Sequence, residues 1–203
     1  MASRRRIRFT FRQAAGHVPG FRLTLRIPGW VCGGRVVVKR GSKVLHEYPG
    51  LCGSGWLVLD LVRLDECEVL VDWNMLPRLT MAHSLVEEAA GQVAVEYGPL
   101  VYCAEGMDAP LETLDDLVIP ADILLQPEPF TIGGREVISL TGSFYRRKAP
   151  CDRMALYQEY RAGGYEPVQV RMIPYFAWAN RGHDEMRVWI PVTEYPSRQK
   201  EAE

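Results

Sequence analysis

The 203 residues suffice for one large β domain or for two domains of about 100 residues each. Hydrophobic residues make up 47% of the chain and aromatic residues 10%, which is enough for a substantial buried core. The formal net charge of −1 excludes the strong overall field by which proteins bind nucleic acid or an anionic membrane surface.

Neither a secretory signal nor a membrane span is expected. Residues 1–8 include four arginines, and no apolar stretch of the length that a signal peptide needs follows them. The longest uncharged stretch, residues 48–59, contains Pro49 and three glycines and falls short of the roughly 20 apolar residues of a spanning helix. We therefore expect a cytoplasmic protein.

Short runs with apolar residues at alternate positions, bounded by Gly and Pro, predict strands from the start of the chain. Residues 21–27 are typical, because Phe21, Leu23, Leu25 and Ile27 would share one face of a pleated strand. No long helical periodicity appears before residue 104. The predicted strands of this half are Ile7–Phe11, Phe21–Ile27, Arg35–Lys39, Val44–Tyr48, Trp56–Leu61, Glu68–Trp73, Pro77–Met81 and Gln92–Cys103.

The composition changes in residues 105–129, which contain four prolines and several acids and predict a linker or domain entry. Gly133–Gly134 predicts a hairpin turn, and strands are expected again at Val168–Phe176 and Met186–Ile190. The fold prediction is all-β, with two consecutive β-sandwich (jelly-roll-like) domains at residues 1–103 and 104–203.

The charges are unevenly distributed along the chain. No Lys or Arg occurs between Arg78 and Arg135, a stretch that holds ten acids, and basic residues follow it. This pattern predicts either an acidic face for a partner or, as the preferred interpretation, acidic and basic surfaces that attract each other within the fold.

The cysteines, numbered 32, 52, 67, 103 and 151, form no C-x-x-C pair. An odd number at this spacing fits neither a disulfide framework nor a cysteine zinc site, so reduced and mostly buried thiols are expected. The four histidines are isolated in sequence, and Gly53–Ser54–Gly55 lacks the pattern of a nucleophile elbow. We expect no catalytic residue, no metal ligand and no cofactor site in this chain.

The five tryptophans are expected mostly in the core. Trp178 is the best exception, because it lies beside Asn180 and Arg181, whose side chains donate hydrogen bonds to hydroxyls or to a partner backbone. Tyr175, Trp178, Asn180 and Arg181 are therefore the candidate residues for binding a substrate or forming an interface.

Three stretches together resemble the C-terminal half of glycoside hydrolase family 127, the β-L-arabinofuranosidases: FRLTLRIPGW at 21–30, GQVAVEYGPLVYCAE at 91–105 and VRMIPYFAWANRGHDEMRVWIP at 170–191. MLPRLTMA at 75–82 is also similar, so the resemblance runs from about residue 7 to residue 191.

The resemblance implies a catalytic α/α-barrel followed by two β-sandwiches, of which this sequence matches only the sandwiches. The family's nucleophilic cysteine, acid/base glutamate and zinc site belong to the barrel, so none is carried over to a residue here, and Cys103 is expected to be a structural thiol. The implied function is a non-catalytic accessory region that braces a catalytic barrel or forms contacts with a second copy.

Two rival functions follow from the residues themselves. A carbohydrate-binding module would need Tyr175 or Trp178 exposed in a groove with polar neighbours. An enzyme with its own site would need an acid and a histidine to converge, for which Glu105 and His83 are the candidates.

Overall fold

The computed structural model describes residues 4–11, 20–61, 67–148, 156–159 and 163–194. These residues form fifteen strands and four 3-10 helices of one turn each, which confirms the all-β class. None of these helices has the length or the apolar character needed to cross a membrane. The chain divides into two compact units, residues 1–76 and 77–203, and each is described by itself.

The first unit contains six strands in two antiparallel sheets. One sheet has the order β1-β6-β3-β4, and β2 pairs with β5 in the other. Alternate residues of these strands are buried, as the two-residue period predicts, and they fill one core between the two sheets. The strands are β1 (Arg4–Thr10), β2 (Phe21–Ile27), β3 (Cys32–Arg40), β4 (Lys43–Cys52), β5 (Gly55–Leu61) and β6 (Cys67–Asn74).

The β3–β4 hairpin has an irregular open end. Gly41–Ser42 forms the turn at its closed end, whereas the register shifts twice near the other end, between Cys32 and Gly34 and between Gly34 and Val36. Gly34 packs under Trp73, so closely that an added Cβ would lie 2.8 Å from the indole ring. β4 forms one edge of its sheet.

The second unit contains a nine-stranded sheet that closes on itself. Its path runs β9-β13-β12-β10-β15-β8, and β8 pairs back with β9. β7, β11 and β14 extend single members of this ring, and the expected second sandwich thus takes the form of one closed sheet. The strands are β7 (Pro77–Met81), β8 (Gln92–Tyr97), β9 (Leu100–Glu105), β10 (Leu117–Pro120), β11 (Gln126–Ile132), β12 (Arg135–Lys148), β13 (Gly164–Pro174), β14 (Met186–Arg187) and β15 (Ile190–Thr193).

Four 3-10 helices connect strands of the second unit: η1 (Glu87–Ala89), η2 (Gly106–Asp108), η3 (Leu114–Asp116) and η4 (Tyr175–Ala177). η2 follows β9 directly, and η4 follows β13 directly. Since β9 and β13 are antiparallel neighbours, the pairing Pro174↔Tyr102 places η4 at the end of the sheet where β9 begins.

The domain boundary predicted at residues 103 and 104 falls inside β9, which pairs with both β8 and β13. The compact units divide after Leu76 instead. The segment 105–129, predicted to be a linker or domain entry, contains the fully buried β10 and the start of β11. Proline is compatible with β11, since that strand pairs only with β12 and its outer edge needs no backbone donor.

The cysteines differ from the expected burial. Cys67 and Cys103 are buried, as predicted, but Cys32 and Cys52 are exposed, and none of these four described cysteines forms a disulfide. Cys151 lies outside the described residues. The strand registry explains the difference, because Cys32 and Cys52 occupy the open end of the β3–β4 hairpin, where the core does not cover them.

Candidate functional site

Three exposed aromatic side chains follow β13 and are called here the aromatic ridge: Tyr175, Phe176 and Trp178. Phe176 is 65% exposed, and the rings of Tyr175 and Trp178 stack with centroids 6.3 Å apart and planes inclined by 12°. Solvent-exposed aromatic surface of this kind is typical of contact sites for proteins and for sugar rings.

The aromatic ridge is anchored by the buried residue Ala177. Ala177, between Phe176 and Trp178, is buried and packs in a cluster with Cys103, Ile132 and Ile173. The backbone N–H of Trp178 donates to the carbonyl of Tyr175 at 3.1 Å and closes the turn. The small side chain of Ala177 thus faces the core while its larger neighbours are turned outward.

The backbone after the ridge adopts an unusual conformation. Ala179 has φ of 60°, a left-handed value that is uncommon for residues other than glycine. Its N–H donates to Oε1 of Glu105 at 2.9 Å, and the Asn180 side-chain amide donates to the carbonyls of Ala177 at 3.0 Å and Trp178 at 3.3 Å. These bonds hold the loop in a conformation that its sequence alone does not favour.

A buried ionic cluster lies beneath this loop, formed by Glu105, Asp108 and Arg181. Arg181 donates to both carboxylates, including a bond of 3.0 Å from Nη1 to Oδ1 of Asp108. The side chains are 1%, 8% and 19% exposed respectively. Hydrogen bonding to Asp108 raises the pKa of Arg181 above its usual value; burial opposes this effect, and the bond to Glu105 adds to it.

The ionic cluster also has one aromatic neighbour, Phe130, and one thiol neighbour, Cys103. The Arg181 guanidinium lies 5.3 Å from the centre of the Phe130 ring, and that of Arg171 lies 4.5 Å from it, both within the range of cation–π attraction. Burial raises the pKa of the Cys103 thiol to about 12, and the negative charge of Glu105 adds to the shift. A thiol with this pKa is protonated and therefore a poor nucleophile near neutral pH.

The structure brings the four predicted site residues into one loop but gives them different surroundings. Tyr175 and Trp178 face solvent, whereas the amide of Asn180 donates to backbone carbonyls of its own loop and Arg181 donates to Glu105 and Asp108. The sequence did not single out Phe176, although it lies between the two predicted aromatics, or pair Glu105 and Asp108 with Arg181. More than 70 residues separate the acids from the arginine, so spacing gave no signal.

The rival pairing of Glu105 with His83 does not occur. Glu105 is buried and bound to Arg181 and to the N–H of Ala179, while His83 is exposed and its Nδ1 accepts from the N–H of Leu85 at 3.2 Å. Within the described part of the chain, no group of three or more His, Cys, Asp or Glu residues is placed to hold a metal ion.

The preferred interpretation of the charge pattern is supported by the contacts. Arg181 pairs with Glu105 and Asp108, and Arg187 pairs with Asp115, so late basic residues meet acids of the arginine-free stretch within one compact unit. The carboxylates of Glu105 and Asp108 are thus held by an internal partner, whereas that of Asp115 remains largely exposed.

The comparisons with known proteins agree on one family. The model of the glycoside hydrolase family 127 C-terminal domain matches residues 77–191. A curated relative, the non-reducing end β-L-arabinofuranosidase of Bifidobacterium longum subsp. longum, is 37% identical over 175 residues, which are 83% of this chain and 25% of the relative.

Solved structures give the same result. A structure described as a glycoside hydrolase has a TM-score of 0.77 and 32% identity, covering 92% of this chain and 30% of that chain. A family 127 β-L-arabinofuranosidase from Geobacillus stearothermophilus T6 has a TM-score of 0.70 and 32% identity, covering 86% and 27% respectively. The chain therefore spans 25% to 30% of the length of these relatives.

Proposed function

This chain belongs to glycoside hydrolase family 127, as its sequence resemblance predicted, with the family's C-terminal domain at residues 77–191, and we propose that it is a non-catalytic accessory region. It braces or assembles with a catalytic α/α-barrel that these 203 residues do not supply. The proposal extends to a parent enzyme that acts on β-L-arabinofuranosides.

The observation that carries this proposal is the share of each relative that the chain covers. The relatives are about three times as long as this chain and match it over only 25% to 30% of their length, so most of each relative lies elsewhere and is available to carry the chemistry. The internal pairing of Glu105 and Asp108 with Arg181 fits the same view, because glycoside hydrolysis needs two carboxyl groups that face a cleft.

The aromatic ridge is the surface that we assign to the catalytic domain. Burying aromatic side chains contributes strongly to interfaces, because each covers about 150–250 Å². The ridge is also fixed in place by the buried Ala177 and by the ionic cluster, so little conformational entropy would be lost when a partner covers it.

Size-exclusion chromatography with light scattering tests the assembly. The purified chain is run alone and mixed with a separately expressed family 127 barrel domain, and a stable complex of the two is expected. Phe176→Ala should weaken this complex by about 10-fold or more, as expected for a buried aromatic contact. Leu85→Ala, a change at an exposed apolar residue outside the ridge, is the matched control and should leave it unchanged.

A chain that remains separate from the barrel would contradict the proposed assembly. A complex that Phe176→Ala does not weaken would contradict the assignment of the aromatic ridge to the contact. The isolated chain should also release no product from an aryl β-L-arabinofuranoside. Turnover that survives purification of the chain to homogeneity would show that it carries a site of its own.

The second candidate function is carbohydrate binding, and the nearly parallel rings of Tyr175 and Trp178 favour it. Aromatic planes of this kind stack on the C–H faces of sugar rings. The polar groups of this loop favour it less, since the amide of Asn180 and both Nη atoms of Arg181 already donate to groups within the protein. Tryptophan fluorescence during titration with arabino-oligosaccharides distinguishes the two functions: a saturable change that Tyr175→Ala, which keeps the Trp178 fluorophore, abolishes would support sugar binding.

A further inference from the structure

The open end of the β3–β4 hairpin holds two exposed free thiols that neither the family nor the proposed function uses. Cys32 and Cys52 are direct partners in the antiparallel register of β3 and β4. Directly opposite residues place their side chains on the same face of a sheet, with Cα atoms about 4.5–5.5 Å apart. This separation lies within the range of about 4.4–6.8 Å that disulfides span.

The position of one sulfur is more informative than the register alone. Sγ of Cys52 accepts the N–H of Gly33 at 3.0 Å, so it is directed across the strand pair toward the residue that follows Cys32. Gly33 has φ of 76° and belongs to the irregular segment where the register shifts. The Cys52 side chain is thus held near the Cys32 backbone, as a cross-strand bond requires.

We propose that Cys32 and Cys52 are a dithiol modification site that closes to a disulfide when it meets a small-molecule disulfide such as oxidised glutathione. One protein thiolate attacks the glutathione disulfide, forms a mixed disulfide and releases one reduced glutathione. The second thiolate attacks the protein-bound sulfur, releases the second glutathione and forms the Cys32–Cys52 bond. Two protein thiols are oxidised, one glutathione disulfide is reduced, and the two thiol protons end on the two glutathione molecules.

The location of the pair gives the modification a structural effect. β4 is an edge strand, and its pairing with β3 is irregular near the two cysteines. A bond at this end closes the hairpin opposite its Gly41–Ser42 turn and restrains the unfolded chain over a loop of about 20 residues. A loop of this size shifts the folding equilibrium of the unit by roughly 100-fold.

To test this, the 203-residue chain is treated with oxidised glutathione, and its peptides are mapped by mass spectrometry without reduction. A peptide linked through Cys32 and Cys52 is expected, and Cys52→Ser should instead keep one glutathione on Cys32. Cys67, which is buried, should stay unmodified in both proteins and serves as the internal control.

A urea titration of the oxidised and reduced proteins measures the consequence. Oxidation should raise the folding equilibrium constant of the wild type roughly 100-fold and leave that of Cys52→Ser unchanged. Separate glutathione adducts on both cysteines, no reaction at either, or a bond to a different cysteine would each overturn the proposal. These outcomes are independent of whether the chain assembles with a barrel.

Discussion

Replacement of Arg181 with methionine removes the only cation bound to the Glu105 and Asp108 carboxylates among the described residues. Both carboxylates are almost fully buried, and after the change Glu105 keeps one described hydrogen bond, from the N–H of Ala179. Methionine preserves much of the side-chain volume, so the perturbation is mainly electrostatic.

The magnitude follows from the burial of the three groups. A contact between unit charges about 4 Å apart contributes about 4 kcal/mol at an effective dielectric constant of 20. Removing one partner of a buried ion pair generally costs about 3–5 kcal/mol, because the remaining charge is left without a counterion. We expect Arg181→Met to lower the free energy of unfolding by about 3–5 kcal/mol.

Urea denaturation followed by near-UV circular dichroism measures this loss, with Arg187→Met as the matched control. Arg187 pairs with Asp115, whose side chain is 74% exposed, and such surface pairs contribute about 0–1 kcal/mol. The triple variant Glu105→Gln, Asp108→Asn, Arg181→Met removes all three charges and should recover part of the lost stability. If Arg181→Met cost no more than Arg187→Met, the reasoning from burial would be refuted.

Three further predictions concern the cores of the two units. Gly34→Ala should cost about 1–3 kcal/mol, since its Cβ would lie 2.7 Å from Cγ1 of Val31, whereas Gly55→Ala, with open space around it, should be nearly neutral in the same thermal denaturation assay. Cys103 should react with a thiol reagent at pH 8 only after unfolding, and labelling at the rate of an exposed cysteine would contradict its burial. Because the pKa of Cys103 is raised to about 12, the folded chain retains a thiol proton that the unfolded chain releases from about pH 9. The free energy of unfolding should therefore fall between pH 9 and 12, by at most about 1.4 kcal/mol per pH unit. Cys103→Ala should remove this pH dependence.

The strands of the first unit could be predicted from the sequence because their periodicity is local. Phe21–Ile27 was predicted with the bounds that the structure gives it, and so was Pro77–Met81 of the second unit, whose alternation is equally local. The Gly133–Gly134 turn between β11 and β12 was also recognised, but the 14-residue β12 was not. Its two buried faces blur the alternation on which a strand prediction depends.

The second unit was harder because its organisation depends on long-range pairing. The prolines of residues 105–129 suggested a linker. Two of them lie in β11, whose outer edge needs no backbone donor, so they are compatible with a strand. The aromatic residues of the site were identified from their polar neighbours Asn180 and Arg181. Arg181, however, forms a structural ion cluster, and its partners lie more than 70 residues earlier in the chain. Sequence spacing carries no information about contacts of that separation.

The closure of the nine-stranded sheet also constrains the order in which the chain can fold. β15, only four residues long, pairs with β8 on one side and in parallel with β10 on the other, and Ile190 is completely buried. Until this strand has left the ribosome, β8 and β10 each retain an unpaired edge, which is the usual starting point for association between chains. The solubility of the nascent second unit therefore depends on β15, the last of its described strands to be synthesised.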